Sequence, residues 1–92
     1  MVFIKRRTTN QSEMDVYSEL APHTAAGHPM TMLAGYGRQE VLEGDPIEGA
    51  VIMRFPTNTE AKAFYDSPGY QAAAAHRHAG ADYDVFIVEG VD

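Results

Sequence analysis

The sequence has no cysteine, which excludes disulfide bridges, thiolate metal sites and a cysteine nucleophile together. It has no apolar run approaching the ~20 residues that a membrane-spanning helix needs. Positive charge is scarce: seven Lys and Arg stand against thirteen Asp and Glu, a net charge of −6. That balance argues against nucleic acid and anionic membranes as partners. A Gly-x-Ser-x-Gly elbow is missing, and Gly35-x-Gly37 lacks both the third glycine and the Lys-Ser/Thr of a phosphate loop. The start, Met1-Val2-Phe3-Ile4 followed by Lys5-Arg6-Arg7, places charge after a very short apolar run. A secretory signal has the reverse order, so the expected location is cytoplasmic.

What is present is an ordinary globular composition, 45% apolar and 22% charged in 92 residues, enough for one domain spanning 1–92. Met1 to Arg7 reads as a strand, closed by Thr8-Thr9-Asn10. Asn10 with Glu13 three residues on opens a helix. Along it Met14, Tyr17, Leu20, Ala21 and Thr24 form one apolar face. Pro22 predicts a kink or early end, and Gly27 and Pro29 stop the helix. Met30 to Tyr36 is a short strand, bent at Gly35 and Gly37, which Arg38 to Glu43 continues. Gly44-Asp45-Pro46 turns the chain into the clearest strand, Ala50 to Phe55. Thr57-x-x-Glu60 caps the next helix, and Ser67-Pro68 opens a second helical piece that Gly80 closes. Tyr83 to Val91 is the last strand.

The order β-α-β-β-α-β predicts an α+β, ferredoxin-like fold with a four-stranded antiparallel sheet. Its helices cover one face only. Yet Val51-Ile52-Met53 and Val85-Phe86-Ile87-Val88 are apolar on both faces, where a half-solvated sheet alternates. The economical cover is a second copy, which predicts a homodimer through the open sheet face.

The stretches Arg54-Phe55-Pro56-Thr57, Glu60-Ala61, Ala63-Phe64-Tyr65, Ser67-Pro68-x-Tyr70-Gln71 and Val88-Glu89-Gly90 share one pattern, joined by Leu42-Glu43-Gly44 and Tyr17. Together they resemble a family catalogued as domain of unknown function 1330. The resemblance implies a dimeric α/β barrel and carries no activity with it. The chain departs from the family pattern at Asp45-Pro46-Ile47-Glu48, where an aromatic and a basic residue are usual, and at Arg54, where an acid is common. His76-Arg77-His78 keeps a basic residue where the family often has one, flanked by two histidines.

Four histidines raise the question of a metal. His76 and His78 are two apart on a helix and point in different directions, and no His-x-x-x-His or Glu-x-x-His occurs, so no metal site is expected. Histidine is the natural proton carrier near neutral pH. His23 and His28 close the first helix, above the expected pocket between sheet and helices, and Tyr17 lies on that helix's inner face. These three form the candidate catalytic set. Arg54 interrupts an apolar strand with Met53 and Phe55 aimed at the opposite face. Buried there, it either pairs with an acid such as Glu89 or anchors a carboxylate or enolate. Tyr65, Met53 and His76 complete the candidate substrate-binding set. The functional expectation is a cofactor-free enzyme that moves a proton on a small apolar, partly anionic metabolite. The alternative is a non-catalytic dimeric module that binds a small ligand or serves as a structural partner.

Overall fold

β-branched and aromatic residues make the strands, and polar caps start the helices. The computed structural model describes residues 1–91; Asp92 lies outside the described residues. Strands β1 (Val2–Thr8), β2 (Thr31–Gly35), β3 (Gly49–Arg54) and β4 (Ala81–Phe86) form one antiparallel sheet in the order β2-β3-β1-β4. Helices α1 (Gln11–Leu20), α2 (Asn58–Asp66) and α3 (Pro68–Gly80) complete the α+β, ferredoxin-like arrangement. None of these helices is long and apolar enough to cross a membrane.

Each helix start has a side-chain oxygen on an orphan backbone donor. Asn10 Oδ1 accepts from the Glu13 amide at 3.3 Å, and Thr57 Oγ1 accepts from the Glu60 amide at 3.1 Å. Ser67 serves two helices: its Oγ donates to the Phe64 carbonyl at 2.7 Å and accepts from the Tyr70 amide at 3.3 Å. With Pro68 preset for a first helical turn, this residue separates α2 from α3 and caps both. Pro22 ends α1 early, and the chain continues as a 3₁₀ turn over Ala21–Ala25.

The strand register sorts side chains by face. Phe3 stands opposite Val51 and Val85, and these face the helices; Val2 stands opposite Ile52 and Phe86, and these face away. The helix-side core joins Phe3, Val51 and Met53 to Met14, Tyr17, Phe64, Tyr70, Ala73 and Ala74. On the other face Ile52 is 39% exposed and Phe86 45% exposed. The basic run on β1 balances acids: Arg6 binds Asp84 at 2.8 Å, Arg7 binds Asp82 at 2.7 Å, and Lys5 lies 3.9 Å from Glu48.

Two expected strand segments are corrected. Arg38 to Glu43 is loop, because Tyr36 takes a left-handed conformation (φ 56°) and swings the chain off β3 after one last ladder bond, Tyr36 amide to Ala50 carbonyl at 2.9 Å. The last strand runs over Ala81–Phe86 rather than Tyr83 to Val91. It starts early because the Gly80 carbonyl accepts from the Thr9 and Asn10 amides at 2.8 and 3.0 Å. It stops at Phe86 because Val2, its partner there, begins β1 and leaves no strand to pair with beyond.

Gly80 also lets α3 approach α1: a Cβ at this position would lie 2.9 Å from Met14 Cγ and 3.1 Å from Glu13 Cβ. Gly80→Ala is therefore expected to cost about 1–3 kcal/mol in urea unfolding; an unchanged midpoint would show that α1 yields freely at this contact.

Candidate functional site

Helix α3 buries Tyr70, Ala73, Ala74 and Arg77 at helical spacing, with Tyr70 and Arg77 reaching the Phe3 ring of the sheet. The two alanines hold the helix close, and the stripe ends on a cation. Arg77 is 3% exposed, with its guanidinium 5.6 Å from the Phe3 ring centre and 5.0 Å from that of Tyr83. Among the described residues no carboxylate pairs with it. Its Nε has no hydrogen-bond partner, and Nη2 donates to His78 Nε2 at 3.3 Å. Arginine does not lose its proton in proteins, so this is a permanent buried cation. Burial works against its charge, the phenols of Tyr70 and Tyr17 favour it, and the net pKa shift is upward.

Tyrosines surround this cation. The hydroxyls of Tyr17 and Tyr70 are 2.9 Å apart, and those of Tyr36 and Tyr83 also bond each other. Burial raises the pKa of all four phenols above the ordinary tyrosine value, with Arg77 acting weakly in the other direction. They are therefore protonated at neutral pH. In each pair one hydroxyl donates and its partner's own proton remains uncommitted. The layer thus holds a cation and spare donors, with no anionic acceptor among the described residues to use them.

A cleft of about 420 Å³ opens onto this layer. Tyr65 of α2, Arg77 and His78 of α3, and Ala81, Asp82, Tyr83 and Val85 at the β4 edge line it. His78 is exposed at the mouth, its pKa lowered first by partial desolvation and then by the Arg77 charge. Asp82 is already held by Arg7. Elsewhere a cleft of about 440 Å³ is lined by His28, Pro29, Met30, Thr31, Arg54, Phe55 and Pro56.

A family model described as "Domain of unknown function (DUF1330)" matches residues 2–91. The chain belongs to this family. No curated protein matches the chain.

Within this DUF1330 chain the sequence-predicted residues are scattered. His28 and Arg54 meet at the second cleft, where His28 also packs edge-on against Phe64 with ring centres 5.4 Å apart. Arg54 is exposed on the open sheet face, opposite Thr31, and makes no ion pair among the described residues; the expected partner Glu89 does not reach it. Tyr17 is buried against Tyr70, and Tyr65 borders the Arg77 cleft. Met53 is core and lines neither cleft. His23 is exposed on the 3₁₀ turn, and His76 Nδ1 binds Glu13 at 2.7 Å, outside both clefts. Among the described residues no three His, Cys, Asp or Glu side chains cluster to hold a metal.

Sequence reasoning missed Arg77, Tyr36, Tyr83 and His78 as a group. The signal for Arg77 was its place seven residues after Tyr70, on the apolar stripe of α3.

The Tyr17–Tyr70 pair predicts strong coupling. Tyr17→Phe and Tyr70→Phe are each expected to cost about 1–2 kcal/mol by stranding the partner hydroxyl, and the double variant about 1 kcal/mol less than their sum. Chemical unfolding of the four proteins checks this, and simple additivity would mean the hydroxyls are satisfied independently.

Proposed function

We propose that this protein binds a small, partly aromatic molecule carrying a carboxylate or enolate, and acts on it by proton transfer without a cofactor. The observation that carries this reading is Arg77, a buried guanidinium with spare donors and no acid among the described residues. A charge removed from water and left without a counter-ion is costly, and a ligand carboxylate is the group that would neutralise it. The planar fork of arginine matches a carboxylate with two parallel hydrogen bonds, strengthened in a low-dielectric site. The lining of the cleft is mostly polar, with Tyr65, Tyr83 and Val85 as the members against which an apolar part of the ligand would rest. In this reading Tyr65 faces the ligand, Tyr17 positions Tyr70, and the exposed Arg54 with His28 forms a weaker, solvent-screened site.

The same reading places a second copy on the open sheet face. Val2, Ile52 and Phe86 form an apolar strip across three strands of that face, and two-fold pairing sets this strip against itself. Ile52→Asp is expected to give a folded monomer by light scattering at micromolar concentration. A wild-type protein that already scatters as a monomer would overturn the dimer.

Calorimetric titration with benzoate tests the anchor. Arg77→Met should weaken the tight binding by at least about tenfold, as expected for losing a hydrogen-bonded charge, whereas Arg54→Met should leave that tight binding unchanged. The melting temperature of Arg77→Met should hold or rise, because an uncompensated buried charge gives way to an apolar chain of similar length. Equal benzoate binding by wild type and Arg77→Met would overturn this reading.

A further inference from the structure

We propose that His78 is the proton acceptor of the Arg77 cleft, and that the substrates are 2-oxo acids with a C–H bond next to the keto group. This rests on the Arg77 anchor proposed above and goes beyond it by naming the base and the substrate class. Arginine only donates, so the 3.3 Å contact from Arg77 Nη2 makes His78 Nε2 the acceptor. His78 is thereby neutral, with its own proton on Nδ1 and a lone pair aimed at the guanidinium. Burial and the adjacent cation both favour that neutral form. The titratable and charged groups sharing its cleft are Arg77 from its own helix, Tyr65 from α2, and Asp82 and Tyr83 from β4. Tyr83 is protonated and Asp82 is bound to Arg7, so His78 is the free base among them.

The chemistry follows from the juxtaposition. A 2-oxo acid offers one carboxylate oxygen and the keto oxygen side by side, a spacing that suits the guanidinium fork. When a substrate oxygen takes the Nη2 hydrogen, His78 Nε2 is released with its lone pair beside the substrate. It removes the proton from the carbon next to the keto group. The C–H electron pair becomes the C=C bond, and the C=O π pair moves onto oxygen as an enolate held by Arg77. The imidazolium then returns a proton to carbon, so the cycle closes with no net redox change and no second reactant. The lining residues of this cleft include no serine, threonine, cysteine or lysine to act as a nucleophile. Proton transfer is what this set of side chains can do.

The test uses the purified full chain and two probes. Phenylpyruvate carries exchangeable C3 protons, and benzoylformate has the same anionic head with no such proton. In D₂O near neutral pH, wild type should speed deuterium incorporation at C3 of phenylpyruvate, read by proton NMR. His78→Gln should lower that rate by at least about 100-fold, the scale of general base catalysis, while still binding benzoylformate by calorimetry. Arg77→Met, with Arg77→Lys as a variant that keeps the charge, should lose both binding and exchange. Benzoylformate binding with exchange absent in wild type, or unaffected by His78→Gln, would overturn the role of His78 and leave the anchor standing. Benzoylformate binding that is missing, or indifferent to both Arg77 variants, would instead sink the anchor and this inference with it.

Discussion

The guanidinium of Arg77 is buried between the last turn of α3 and the sheet without a carboxylate among the described residues to neutralise it. Much of the surrounding structure is arranged around that fact. Phe3 and Tyr83 turn ring faces toward the cation, a contact that partly replaces its lost hydration. Tyr17, Tyr70, Tyr36 and Tyr83 place four phenol oxygens in the same layer and pair off across elements far apart in sequence. These pairs tie α1 to α3 and the end of β2 to β4. A low-dielectric site with unspent donors is unfavourable for the empty protein and favourable for an anionic ligand, and that asymmetry gives the proposed function its physical basis.

Two alanines make the burial possible. With Ala73 and Ala74 fully buried, α3 packs closely and the Arg77 side chain reaches over Phe3, while Gly80 allows the helix end to meet α1. The Gly80 carbonyl then takes both the Thr9 and Asn10 amides, so one helix end fixes the entry to α1 and the first residue of β4 together. Tyr36 belongs to the same set: its left-handed backbone and its ring over Gly49 bring its hydroxyl to Tyr83. The residue that ends β2 is thus also a member of the Arg77 layer.

The fold was largely legible because its signals are local. Thr57 and Ser67-Pro68 cap helices by chemistry that needs no tertiary partner, and Val51-Ile52-Met53 reads as strand on side-chain shape alone. The site was less legible. His28 and Arg54 do share a cleft, yet Arg54 is exposed, because strand alternation places it on the sheet face that the helices do not cover. His76, expected to contact a ligand, is hydrogen-bonded to Glu13, since its helical position faces α1 and not the sheet.

Local composition determined the element order, the caps, the two-faced apolar strands and the family pattern running from Leu42 to Gly90. These depend on backbone sterics, hydrogen-bond donors and side-chain periodicity within a few residues. Tertiary structure alone decided that Arg77 would be a cation without an acid among the described residues, that Tyr17 would meet Tyr70 across 53 positions, and that Tyr36 would meet Tyr83 across 47. The environment of a charge depends on which distant groups the topology brings around it, and no spacing rule along the chain contains that information.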